Sequence, residues 1–507
     1  MSKKERRIQK QKEREEKFRE KEKTGKARRI TYEPKEKKTS QPNRKSDNKT
    51  PEEEMAERQE KAERATVVYR QMLPELLKKL SKIEDPRQPN KVKHQITVLM
   101  AYGILSFVYQ VGSRRKINKQ MTKPVLWENL TAMFPELKSL PHVDTLARVL
   151  EIIDVEKVQD ALIGLLKDLM RKKKFKNQLR NNKYLVAVDG TQKFFRNYQW
   201  ESEALKRTVG GEVRVPQYYV YVLDSVMVLD NRIVIPVISE ILENKDWIEG
   251  ETKQDCEQKA FKRLAPKLYK IFGKGNVILL GDGLYSCGQV IRICRKYTWD
   301  FMLVLKEDGN KSIWREATGL MRLEPNNQLR VKWGDRNQIY QWANDIEYDY
   351  GPNLRYTELV HAVICTETWI EKNSRSTRKE EIRETRYAWI SSKKLNENNV
   401  FNRCTKIGRY RWKIENNFLI EKHEGYCFEH CYSYTWQVMK GFHYLMKVGH
   451  FLNALALGSE LLVDYVKRYG IRGFLHDLLQ ALSGSVLDLE RIKAIVHSNH
   501  YWRLKAS

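Results

Sequence analysis

The chain has 507 residues, with 94 Lys and Arg against 65 Asp and Glu, a formal net charge of +29 at pH 7. That length allows several domains and a sizeable core, and the charge points to nucleic acid first and an anionic membrane surface second. Seven cysteines are too sparse for a disulfide scaffold and suit the reduced thiols of a cytosolic protein.

Residues 1–50 hold 20 basic and 9 acidic residues, a net of +11, with only six hydrophobic ones. Such a segment buries no core, so residues 1–64 are expected to be a disordered basic arm or a loose solvated helix. The opening MSKKERRIQKQKE has no apolar core, so no secretory signal is expected. ATVVYRQMLPELLKKLSKI then shows helical apolar spacing, broken by DPRQPN. The stretch QITVLMAYGILSFVYQVG, 95–112, is uncharged but carries Gln95, Thr97, Ser106 and Gln110. It predicts a buried helix rather than a membrane span. Two more helices are predicted within 140–173, which makes 65–180 an all-helical domain.

The pattern then switches to strands. KYLVAVDGT, 183–191, is a short apolar run ended by Asp-Gly. QYYVYVLDSVMVLD and NRIVIPVISEIL follow, and the Asp-Asn pair at 230–231 suits a hairpin turn. A helix over about 253–272, the strand NVILLGDG, a helix over about 286–297 and the strand DFMLVLKE complete a first block, 181–308. Residues 309–388 are polar and β-prone and carry Trp314, Trp333, Trp342 and Trp369, which predicts a β-rich insertion. These tryptophans read as core more readily than as base-stacking platforms. RYAWISS returns to strand character, 389–435 holds a further helix, and 436–507 is a strongly apolar helical region.

Asp189 ends LVAVDG and Asp282 ends ILLGDG. In open α/β sheets, residues just past a strand end line the functional crevice. The glycine after each aspartate would leave the backbone open to a ligand or metal; the plainer reading is a turn aspartate. The order of a three-stranded meander, a helix and a further strand is ribonuclease-H-like, an α/β core in which carboxylates of the first and fourth strands lie side by side. Two such groups repel unless a cation lies between them.

RYRWKIENNF, 409–418, supplies a third carboxylate, Glu415. On one continuous helix Arg411, Glu415 and Lys422 would fall within about 40° of each other. Alone, an Arg–Glu pair at this spacing is a surface bridge. With Asp189 and Asp282, Glu415 completes an all-oxygen set suited to two Mg²⁺ or Mn²⁺ ions, which can activate an attacking oxygen and stabilise a leaving one. Glu240, Asp255 and Glu257 rank below this triad, as caps or surface charges. KHEGYCFEHC brings His423, Cys427, His430 and Cys431 together in sequence, but the spacing fits no standard zinc finger.

LVAVDGTQ, VILLGDGLYS and RYRWKIENNFLIEKHEGYCFEHCYS together resemble the bacterial insertion-sequence DDE transposases, in the group with a β-rich insertion before the last carboxylate. The separations of Asp189, Asp282 and Glu415, 93 and 133 residues, leave room for that insertion, and the resemblance covers roughly 85–455. It implies metal-dependent cleavage at the ends of a mobile element, then 3′-OH strand transfer into target DNA. It also implies that Arg411 and Lys422 hold phosphates, that the helical domain binds terminal inverted repeats, and that a homodimer works on paired ends in the cytoplasm, at the nucleoid. The group's third motif begins with Tyr where this chain has Gly408, which questions that phosphate contact. Two alternatives stand beside this expectation: a non-catalytic DNA-binding relic, and a ribonuclease-H-like nuclease without strand transfer.

Overall fold

The computed structural model describes residues 46–210, 214–229, 233–244, 254–372, 380–484 and 488–497, together with 9, 13, 16, 20 and 29–32. The turn expected at 230–231 and most of the basic arm lie outside these residues. The protein is mixed α/β.

In chain order, a short strand β1 (Arg29–Tyr32) precedes six helices: α1 (Pro51–Leu80), α2 (Ile96–Val108), α3 (Arg114–Gln120), α4 (Pro124–Met133), α5 (Val143–Ile152) and α6 (Glu156–Arg171). Four strands follow: β2 (Tyr184–Arg196), β3 (Leu205–Val209), β4 (Val215–Val228) and β5 (Val234–Ile241). Next come α7 (Glu257–Phe272), β6 (Val277–Gly281), α8 (Gly288–Tyr297), β7 (Asp300–Val304) and α9 (Lys311–Leu323). The strands β8 (Gln328–Trp333), β9 (Arg336–Tyr350), β10 (Tyr356–Lys372) and β11 (Glu380–Ser391) lead to α10 (Lys413–His423), α11 (Trp436–Leu457), α12 (Val463–Gly484) and α13 (Leu489–His497).

These elements form two compact units, one of Met1–Thr39 with Ile278–Arg411 and one of Ser40–Val277 with Trp412–Ser507. In the second, β4 is central: β2 and β3 pair with it antiparallel, and so does β5. The expected meander is present with one addition. The sequence LKRTV of β3 is exposed through Lys206, Arg207 and Thr208, so no apolar alternation marks it.

The helices of this unit begin earlier than the arm boundary at 64. Pro51 opens α1, with Thr50 Oγ1 accepting the Glu53 N–H at 3.2 Å and Glu52, Glu53 and Glu54 in the first turn. Lys61 is buried and donates to Asp477 of α12 at 2.8 Å, and Tyr69 donates to Asn453 of α11 at 2.7 Å. The N-terminal and C-terminal helices, read from sequence as separate regions, therefore share one core. The buried helix expected over 95–112 is α2, in which every residue except Thr97 is buried. Among the described residues no helix is long and apolar enough to cross a membrane.

In the other unit the strand order is β1-β8-β9-β10-β11-β7-β6. The segment expected to be a β-rich insertion opens with a helix, α9, before its strands. Asn310 caps it by accepting the Ile313 N–H at 3.3 Å, and Ile313, Ala317 and Met321 form its buried stripe at intervals of four. After it, β8, β9, β10 and β11 form antiparallel pairs, and Trp389–Ser391 at the end of β11 pairs with β7. Trp342 is core, while Trp369 carries the Arg336 guanidinium 4.2 Å from its ring centre. Trp314 lines an open groove of about 810 Å³ with Lys311, Arg315, Arg322 and Arg386.

Candidate catalytic site

Asp189 follows the buried run Leu185–Val188 on β2 and is half-buried. Its Oδ1 accepts the Gly190 N–H at 2.9 Å. Across the pair, Asp189 stands opposite Asp224 of β4. Directly opposed residues of an antiparallel pair project from the same face. The Asp224 side chain therefore marks which face carries Asp189.

Asp224 is buried in an ionic cluster. Lys447 of α11 donates to Asp224 Oδ2 at 2.6 Å and to Glu421 of α10 at 2.7 and 2.9 Å. His450 Nδ1 lies 2.8 Å from Glu421 Oε1, and Ser239 donates to Asp224. Burial alone would raise Glu421, but Lys447 and His450 outweigh it and hold the carboxyl down at about 2. Burial raises Asp224 above the usual carboxylate range, with Lys447 pulling the other way. One ammonium between two carboxylates thus binds α10, α11 and β4 together, and α10 packs on β2, β4 and β5. The third-motif helix lies over the face of the sheet to which Asp189 belongs.

Glu415 is half-buried in the first turn of α10, where a carboxylate is favoured by the helix dipole. Lys422, seven residues on, lies within about 20° of it around the same helix. Its ammonium is 3.3 Å from Glu429. Arg411, expected on the same helix, lies just ahead of it. Residues Asn402–Ile407 are a π-helix and Gly408–Trp412 a 3₁₀ turn, so Arg411 precedes the α-helix, with only 5% of its surface exposed. Tryptophan explains Gly408: a Cβ there would meet the Trp389 indole at 2.9–3.2 Å, so a Tyr has no room.

Asp282 belongs to the other unit. It caps a short 3₁₀ turn, its Oδ1 accepting the Leu284 N–H at 2.9 Å, the geometry of a turn aspartate. Asp189 and Glu415 lie on packed elements of one unit, and Asp282 on the other. Among the described residues, no three His, Cys, Asp or Glu side chains gather as a metal-binding group. The donor set itself is carboxylate oxygen throughout, which suits a hard divalent cation. Cys427 and Cys431 turn their thiols to the carbonyls of Gly425 and Ser433.

The glycines after the two aspartates do not leave open space. A Cβ on Gly190 would lie 2.5 Å from both the Glu257 carboxyl and the Tyr221 ring, and one on Gly283 would meet the Lys306 chain at 2.9 Å. Gly190 is thus needed for packing on the α7 side, where Tyr221 donates to Glu257 at 2.9 Å. Gly190→Ala is expected to cost about 1–3 kcal/mol by overpacking. Thermal unfolding would show it, and adding Glu257→Ala would restore part of the loss. Glu240 and Asp255 are likewise engaged, both by Arg263 and the former also by Lys267 at 2.7 Å.

The buried cluster was not among the residues singled out from sequence. Its signals are a lone Asp in YVYVLDSVMV and a Lys and His at 447 and 450 within a mostly apolar helix that also holds Lys440, His443 and Asn453. Charges in such runs require buried partners.

Residues 77–166 match the family model described as DDE_Tnp_1-associated. The match covers α2 to α5 and most of α6, and it supports a DDE-type transposase family for this chain. No curated protein matches it.

Proposed function

We propose that the protein is a DDE transposase with a ribonuclease-H-like core, which cleaves DNA at the ends of a mobile element and transfers the freed 3′-OH into target DNA. The observation that carries this reading is the Asp224–Lys447–Glu421 bridge, because it holds the helix of Glu415 over the sheet face of Asp189. The family match upstream supports it independently.

In this reading Asp189, Glu415 and Asp282 would hold Mg²⁺ or Mn²⁺. Two such ions, when bound, supply activation of the attacking oxygen and stabilisation of the leaving one. Lys422 would hold a phosphate of the scissile strand, and the basic surface would position the duplex. The N-terminal helices would bind the terminal inverted repeats of double-stranded DNA, a homodimer would pair two ends, and the protein would act at the cytoplasmic nucleoid.

The test is direct. The full chain is incubated with a linear duplex carrying the inverted repeats that flank its coding sequence, in Mg²⁺, Mn²⁺ or EDTA, with a supercoiled target. Metal-dependent cuts leaving 3′-OH ends, followed by joined products, are expected. Cuts without joining favour the nuclease alternative; binding without cuts favours the relic.

Phosphate contact is separable from chemistry. Lys422→Ala is expected to weaken end-DNA binding and to reduce the slope of log K against log salt by about one unit. Titrations at several salt concentrations check this. An unchanged slope would leave Lys422 as a structural partner of Glu429.

A further inference from the structure

The strand that bears Asp189 continues to Arg196, and its far end opens on a groove of about 580 Å³. A β-bulge between Gln192 and Phe194 resets the side-chain alternation there. Lys193 turns inward and donates to the Phe428 carbonyl, while Phe195 is 45% exposed. Tyr198 and Tyr434 beside it are 55% and 50% exposed. Arg196 joins the cluster: its Nε donates to the Tyr434 hydroxyl at 3.4 Å, and its guanidinium carbon lies 5.7 Å from that ring centre. Glu429 lines the same groove and holds Lys422.

Exposed rings interleaved with cations suit a nucleic-acid strand. Aromatic faces gain by stacking on bases, and only unpaired bases offer a free face; a paired duplex offers chiefly backbone. The cations match phosphate, and Glu429, 56% exposed at its side chain, stands where an anion already sits against Lys422. We propose that this groove takes an unpaired nucleotide of the strand being processed, its base against Tyr198 and Phe195 and its phosphate on Arg196 and Lys422. Glu429 holds Lys422 until that phosphate displaces it. The proposal rests on the transposase reading above and adds a strand-recognition site to it.

Fluorescence anisotropy with the full chain tests it, using an end duplex with a short 3′ tail and the same duplex blunt, in EDTA so that no strand is cut. Tyr198→Ala and Arg196→Ala are expected to weaken the tailed duplex about 10-fold and to leave the blunt one nearly unchanged. Phe195→Ala should act in the same direction, and Glu429→Gln should tighten the tailed duplex about 3-fold. All of these side chains are at the surface, and circular dichroism confirms that the variants fold. If the Tyr198 and Arg196 variants bind the tailed duplex as wild type does, while Lys422→Ala still weakens both duplexes, the groove proposal falls and the transposase reading stands. If the wild-type chain binds neither duplex, both fall.

Discussion

Asp189→Asn is expected to abolish DNA cleavage while leaving end-DNA binding within about threefold of wild type. The exchange keeps the size of the side chain and one oxygen, and Asn can still accept the Gly190 N–H that Asp189 Oδ1 takes at 2.9 Å. What it removes is a negative charge, and a divalent cation bound by hard oxygens depends on that charge. Loss of a metal-holding carboxylate typically removes several kcal/mol of transition-state stabilisation, so cleavage should fall by at least about a thousandfold. Parallel gel-shift and cleavage assays in Mg²⁺ separate the two effects. Retained nicking would show that Asp189 is only a strand-end aspartate. A variant that neither cuts nor binds, yet unfolds as wild type does, would move Asp189 from the chemistry to DNA contact.

The second large effect lies inside the protein. Lys447→Met should destabilise the unit by about 3–5 kcal/mol, because it leaves Asp224 and Glu421 buried and facing each other with no ammonium between them. The pH dependence follows from Glu421. Its carboxyl is held at about 2 against an ordinary 4.5, so its contribution is complete above about 4.5 and is lost as pH falls through the folded value. The gap between wild type and Lys447→Met should therefore narrow on acidification from pH 6 towards pH 3. Chemical unfolding across that range measures it, and equal stability at neutral pH would remove the cluster as the clamp that seats α10. Glu421→Gln, which keeps shape and removes one charge, should lose less.

Part of this arrangement is legible in the sequence because it rests on short-range pattern. The apolar run before Asp189 and the uncharged, largely apolar run of α2 report burial directly, since a buried strand or helix has no charged face to show. The helix α9 was legible too, through Asn310 and the stripe Ile313, Ala317 and Met321, but tryptophans and charges around it favoured a β reading. The strand β3 was not, because Lys206, Arg207 and Thr208 face solvent on an edge and carry no alternation. At the site, the line of Arg411, Glu415 and Lys422 assumed one helical period throughout. The backbone passes from a 3₁₀ turn to an α-helix between Arg411 and Glu415, and nothing in residue spacing reports that change. The cluster around Lys447 joins residues from β4, α10 and α11, and only the fold brings such distant positions together.

Gly408 and Trp389 fill one space between them: an indole on β11 occupies what would be a side chain's place on the 3₁₀ turn. The two positions are therefore not free to change one at a time. A bulky residue enters at 408 only after 389 has become small, and shrinking 389 first leaves a cavity. Among chains of this fold the two sites should exchange as a pair, large with small. A Tyr installed at 408 together with a small residue at 389 is then the route by which this chain could acquire the aromatic group at the head of its third motif.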